Sequence, residues 1–216
     1  MGFQGVLFDM DGLLLDTEKQ YLGTFIATCA KFGLRDKEKV FYDCIGLRLA
    51  DSTKVLEKGL GGLVDLDAFL TTWDETIIAE RAAHIPVKPM APVLLQALKE
   101  RDILCAVATS TGTEKAKHHL EQTGLLPYVH TVIGGDQVEN GKPAPDIYLK
   151  AAEALGVAAA ACVAFEDSDP GTLAAIRSGA KVVQVPDLKQ PSPKIRAMGH
   201  IIAKDLMEGA RTVGLL

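Results

Sequence analysis

The chain alternates short, continuous apolar runs with longer stretches of helical period. Five runs stand out: Gly5–Phe8 (GVLF), residues 103–108 (ILCAVA), Thr131–Ile133 (TVI), residues 162–165 (CVAF) and residues 181–185 (KVVQV). They stop at Asp9, Thr109, Gly134-Gly135, Glu166-Asp167 and Pro186. Runs that are apolar at successive positions suit strands covered on both faces, as parallel strands are. Between them, Val93, Leu94, Ala97 and Leu98 recur at helical spacing over 93–101. Further helices are predicted over 114–123, after a Thr111-x-x-Glu114 capping box, and over 146–155, after Pro143 and Pro145. A helix over 172–178 takes Asp169 as N-cap and Pro170 in its first turn, and Gly179 closes it. Strand–helix–strand alternation predicts an α/β fold, a parallel sheet with helices on both faces.

Residues 17–86 break the alternation. Helical patterns cover 21–31, 51–58 and 66–82, and no strand is evident. The expected organisation is an α/β core domain of residues 1–16 and 87–216, interrupted by an all-helical domain of residues 17–86. The linkers would lie near Asp16-Thr17 and residues 86–89. A chain of 216 residues can bury such a core without disulfide or metal staples. Its composition, 48% apolar and 24% charged, excludes disordered, collagen-like and disulfide-scaffold classes.

Four cysteines, at 29, 44, 105 and 162, are widely spaced and form no CxxC pair. They read as buried thiols of a reducing compartment. No run of 18 apolar residues and no signal peptide is visible, so a cytoplasmic protein with no membrane partner is expected. The net charge of -5 weighs against nucleic acid as a partner. It leaves room for a small phosphorylated ligand, which needs only one local basic residue. Nothing in the sequence fixes an oligomeric state, and a monomer is compatible with it.

The polar residues fall where an open parallel sheet binds ligands, beyond the carboxyl ends of its strands. The first run ends at Asp9-Met10-Asp11-Gly12, the second at Thr109-Ser110 and the fourth at Glu166-Asp167-Ser168. The loop after the third carries Asn140-Gly141-Lys142. Carboxylates gathered at one edge repel one another unless a cation joins them, and Mg2+ takes oxygen ligands of this kind. A carboxylate can act as a nucleophile, and a lysine gives phosphate a point charge. Hydroxyl and backbone N–H groups ahead of a helix make an anion site. Together these suit phosphoryl transfer.

The same residues carry a resemblance. Residues 6–17 (VLFDMDGLLLDT) resemble the first motif of the haloacid dehalogenase-like hydrolase superfamily, and the two aspartates mark its phosphatase branch. AVATS at 106–110, GKPAPDIY at 141–148 and FEDSDPG at 165–171 match its second, third and fourth motifs. The insert after Asp16 is similar to the helical cap of the subfamily that includes β-phosphoglucomutase and many small-molecule phosphatases. The resemblance implies that Asp9 is the nucleophile, forms an aspartyl-phosphate and binds magnesium. It implies that Asp11 is general acid and then base, with its backbone carbonyl on the metal. Asp167 would complete the metal site, and Glu166 would join it directly or through water. Thr109 and the Ser110 N–H would hold phosphate oxygens, Lys142 would bridge Asp9 and the phosphate, and Gly12 would allow the turn.

Two reactions share this chemistry: hydrolysis of a small phosphomonoester, such as a sugar phosphate, and β-phosphoglucomutase-type transfer. Mutases place a histidine where this chain has Tyr21, and an arginine on a GxxR loop where Gly46-Leu47-Arg48-Leu49 has its arginine one position early. Both departures favour the phosphatase. The 2-haloacid dehalogenases lack the second aspartate, and a non-catalytic binding protein should have lost Asp9, Asp11, Lys142 or Asp167. Arg48 is the candidate for touching the substrate's leaving group, and Tyr21 reads equally as cap packing or as a substrate contact. The cap is expected to close about a hinge near Thr17 and residues 86–89. Gly59-Leu60-Gly61-Gly62 is no dinucleotide fingerprint, and the adjacent His118 and His119 cannot face one metal together. Trp73 reads as cap core.

Overall fold

The computed structural model describes residues 2–47 and 49–216. Six parallel strands form one sheet: β1 (Gly5–Phe8), β2 (Leu104–Ala108), β3 (Thr131–Ile133), β4 (Cys162–Glu166), β5 (Lys181–Gln184) and β6 (Ile201–Ile202). Their order is β3-β2-β1-β4-β5-β6. Chain order therefore reverses at β1, which pairs with β2 on one side and β4 on the other. Ligands of open α/β sheets bind at such a switch point, and both the reversal and the polar strand ends are here.

The continuous apolar runs divide by strand periodicity between two cores. Val6, Phe8, Cys105, Val107, Val163, Phe165 and Val183 face one, with α5 (Met90–Lys99), α6 (Thr113–Gln122) and α10 (Leu206–Thr212) packed over it. Leu7, Ala106, Ala108, Cys162, Ala164 and Val182 face the other, under α7 (Asp146–Ala154) and α8 (Asp169–Arg177). The second face is rich in alanine, which lets its helices approach closely. The first carries the stacked rings of Phe8 and Phe165, 5.3 Å apart.

Between β1 and β2 the chain forms α1 (Thr17–Lys31), α2 (Glu38–Cys44), α3 (Leu49–Leu60) and α4 (Leu66–Ala83). They bury a core of their own around Phe25, Phe41, Leu56, Leu60 and Phe69, with Trp73 packed against it as expected. The Trp73 indole N–H donates to the Thr24 hydroxyl at 2.9 Å. The two chain crossings run side by side: Asp16 N–H donates to the Pro86 carbonyl at 2.8 Å and Lys88 N–H to that of Leu14 at 3.0 Å.

Several local expectations are corrected. There is no capping box at α6. Its N-cap is Gly112, Glu114 pairs with Lys117 in solvent, and the Thr111 hydroxyl turns to Asp11 instead. At α8 the N-cap is Ser168, whose hydroxyl accepts from Gly171 N–H at 3.2 Å. Asp169 is the first helical residue and accepts from Ser192 N–H. Gly179 does end that helix region, with φ +87°. Helix α1 starts at Thr17, four residues earlier than its apolar pattern. Helices α2, α10 and the short α9 (Pro193–Arg196), together with β6, are additional elements. No helix among the described residues is long and apolar enough to cross a membrane.

Candidate active site

Sheet hydrogen bonding carries the backbone one residue past each central strand. Asp9 N–H donates to the Phe165 carbonyl, and Thr109 N–H to that of Ile133, each at 3.0 Å. This aligns the ends of β1, β2 and β4 on one edge. The β3–α7 loop folds back across that edge and delivers Lys142, 3% exposed. Its ammonium sits 2.5 Å from Asp9 Oδ1 and 2.5 Å from Glu166 Oε1. One turn into α7, Tyr148 donates its hydroxyl to Glu166 Oε1 at 2.6 Å, and Lys142 Nζ lies 5.2 Å from its ring centroid.

Glu166, with no exposed surface, is encircled by donors. Beyond Lys142 and Tyr148, its Oε2 accepts from Asp167 N–H (3.1 Å), Ser168 N–H (3.2 Å) and the Ser168 hydroxyl (3.1 Å). Gly171 makes room for it, because a Cβ there would overlap the Glu166 carboxylate. Gly12 does the same for Asp167. It sits at φ +83°, where other residues are strained, and a Cβ there would strike the Asp167 carboxylate.

Asp9, Glu166 and Asp167 each present an oxygen within 4.8 Å of the other two, all three residues buried. Burial raises the Asp9 carboxyl to about 8, against the attraction of Lys142, and Glu166 adds to the rise. Asp167 is raised well above the carboxylate range, first by burial and then by Glu166 and Asp9. One lysine does not balance this many buried acids. A divalent cation with oxygen ligands fits the donor set, and a cavity of about 130 Å³ lies beside Asp167, between Ile45 and Pro170.

Asp11 lies across from this group. Its Oδ1 accepts from the Thr17 hydroxyl at 2.6 Å and its Oδ2 from the Thr111 hydroxyl at 2.8 Å. The first residue of α1 and the turn after β2 therefore fix one carboxylate. The Thr109 hydroxyl accepts from Thr111 N–H at 3.1 Å, so its own proton is free for another acceptor. The Ser110 hydroxyl donates to the Gly46 carbonyl at 3.3 Å. Gly46, at φ +80°, packs so closely on Ser168 that a Cβ would meet its Oγ at 2.5 Å. The turn after α2 thus seats directly on the sheet edge.

Of the sequence candidates, Asp9, Lys142, Glu166 and Asp167 form one bonded cluster, and Asp11, Thr109 and Ser110 line the same edge. Arg48 lies outside the described residues. Tyr21 packs in the helical unit, its ring edge-on to Trp73 at 6.3 Å and covered by the Arg81 guanidinium at 4.2 Å. Sequence reasoning missed Tyr148, Thr111, Thr17 and Arg81. Tyr148 was visible as the last residue of GKPAPDIY, one turn into a helix that starts beside Lys142. For Arg81 no signal exists, because periodicity does not say which residue of the helical unit faces the sheet edge.

The family model described as haloacid dehalogenase-like hydrolase matches residues 6–185. The chain is 32% identical over 176 residues to the phosphorylated carbohydrates phosphatase of Thermotoga maritima, covering 82% of each chain. It is 33% identical over 193 residues to (DL)-glycerol-3-phosphatase 2 of Arabidopsis thaliana, covering 84% of this chain and 79% of that one. A solved Thermotoga maritima structure, named provisionally as a β-phosphoglucomutase, superposes with a TM-score of 0.78 at 28% identity, over 99% of both chains.

Proposed function

Because the chain belongs to the haloacid dehalogenase-like hydrolase family, we propose that it is a cytoplasmic, magnesium-dependent phosphomonoester hydrolase. Its substrates would be small phosphorylated metabolites, sugar phosphates or similar, and an aspartyl-phosphate would form on Asp9. The observation that carries this reading is the Lys142 ammonium shared between Asp9 and Glu166, beside the facing carboxylate of Asp167.

Asp9 attacks phosphorus while Lys142 favours its ionised form and draws charge from the phosphoryl oxygens. Thr109, with its hydroxyl proton uncommitted, donates to one of those oxygens, and the Ser110 N–H to another. The ester oxygen departs as an alcohol with the proton of Asp11. Asp11, held by Thr17 and Thr111, then takes a proton from the water that attacks phosphorus and releases Asp9. Asp9, Asp167 and the Asp11 backbone carbonyl would hold Mg2+, with Glu166 reaching it through water, since both Glu166 oxygens are already taken by protein donors. The bound cation would neutralise charge on the nucleophile and the transferring group. Residues 17–86 would act as a cap over a core of residues 1–16 and 87–216, excluding bulk water once the substrate is in.

A β-phosphoglucomutase-type reaction is the second reading, favoured by the name of the Thermotoga structure. Phosphate release from a panel of metabolite monophosphates, with Mg2+, with EDTA and with Asp9→Asn, separates the two. Magnesium-dependent release abolished by Asp9→Asn is expected. Isomerisation of glucose 1-phosphate without release would favour the mutase.

A further inference from the structure

Arg81 is a buried cation that the reaction above does not use. It lies on α4, 7% exposed, where the helical unit meets the sheet edge. Its guanidinium stacks on Tyr21, and its Nη1 lies 3.5 Å from Nε2 of His119 on α6. Its Nη2 is 3.9 Å from Asp11 Oδ1, too long for a hydrogen bond. Both Nε and Nη2 are buried without a hydrogen-bond partner among the described residues. These two nitrogens form one edge of the guanidinium, where both N–H bonds point into the same space and can share one acceptor oxygen. A buried charged donor pair left open is costly, so a fold that keeps one needs an acceptor to arrive. On the phosphohydrolase reading, Asp11 protonates the ester oxygen. The acceptor beside it is therefore part of the alcohol being released.

We propose that Arg81 is the specificity-determining residue for the leaving alcohol, and that it selects esters bearing a free hydroxyl or carbonyl oxygen on the carbon next to the ester carbon. Polyol and sugar phosphates have this feature. The inference rests on the phosphohydrolase reading. Local charge argues for a neutral oxygen over a carboxylate or second phosphate. Asp11 already balances the guanidinium, and Glu18 on α1 adds a further carboxyl within its field. His119 brings no second cation, since burial and then Arg81 push it down to about 4. Lys142 is engaged by Asp9 and Glu166, and Lys88 by Asp16 and Asp187. A neutral oxygen accepts from the fork without adding charge beside these carboxyls, and a hydroxyl can also donate its proton to one of them, whereas an anion adds charge and donates nothing.

The test compares glycerol 3-phosphate with n-propyl phosphate, the same carbon skeleton without hydroxyls, and with phosphoglycolate, which offers a carboxylate. A site built for a substrate hydroxyl rejects the analogue lacking it, so the wild-type kcat/KM should favour the glycerol ester by about 100-fold or more. Arg81→Met should shrink that ratio by at least about tenfold, and Arg81→Lys should recover part of it. A wild-type protein that hydrolyses both esters equally well overturns the proposal without any variant. An unchanged ratio in Arg81→Met does the same. So does a loss greatest with phosphoglycolate, which would assign the fork to an anion. Failure to hydrolyse any ester would instead overturn the phosphohydrolase reading on which it stands.

Discussion

Glu166 shows how much of this site lies one layer behind the proposed nucleophile. Five donors converge on one carboxylate, and through it the lysine beside Asp9 is held in place. Groups that orient metal-site residues are commonly worth 10–100-fold in activity or metal affinity. Tyr148→Phe removes one donor and keeps the ring, so it should lower kcat by about tenfold with little change in KM. Steady-state kinetics on any good ester would check this. Asp9 makes a second prediction. Its carboxyl rises from 3.8 to about 8 in the fold, so between those values the folded protein holds a proton that the unfolded chain has released. Stability therefore falls as pH rises through that window. On the proposed reading, Mg2+ would bind the ionised carboxylates and oppose the fall. The gain in Tm on adding Mg2+ should be clearly larger at about pH 8 than at about pH 5, and thermal melts at the two values would reveal it. At this scale Asp9, Asp11, Lys142, Glu166 and Asp167 were legible in the sequence, because each sits at a strand end or in a glycine- and proline-marked loop. Arg81 and Thr111 were not. Arg81 reads as one more charge on a helix, and Thr111 offered a local cap that a long-range carboxylate outcompeted.

Among elements, α8 is fixed by the residues that also serve the site. Ser168 caps it and donates to Glu166, and Gly171 in its first turn leaves space for that carboxylate. Ser168→Ala should cost about 1–2 kcal/mol, from the lost cap and a weakened Glu166 shell. Gly171→Ala should cost about 2 kcal/mol or more, because its methyl group displaces a buried, fully bonded acid. Urea unfolding of the two variants would rank them, and a Gly171→Ala protein as stable as the parent would contradict the packing described. The strands were legible because burial on both faces writes an unbroken apolar run. β6 was not, since two residues carry no pattern. α2 was missed because its seven residues bury only Phe41 and otherwise mix charges. Its place is set by the core it closes rather than by its own periodicity.

Across the whole molecule, the paired crossings tie the helical unit to the sheet. Lys88 reaches Asp16 on the other crossing at 2.8 Å and Asp187, beyond β5, at 2.6 Å. Leu188, next in the chain, packs against the aromatic core of the helices. Lys88→Met should destabilise the protein by about 1–3 kcal/mol, since it leaves Asp187 nearly buried and without its closest cation. Chemical denaturation would measure it. The account as a whole stands on Asp9 as the nucleophile. Its most direct test is to quench the turning-over enzyme and reduce it with borohydride, which converts an aspartyl-phosphate to homoserine, and then to map the product by mass spectrometry. Homoserine at position 9, formed only with both Mg2+ and a phosphate ester present, is the predicted result. Phosphate release with no homoserine at position 9, or with homoserine at another aspartate, would contradict it.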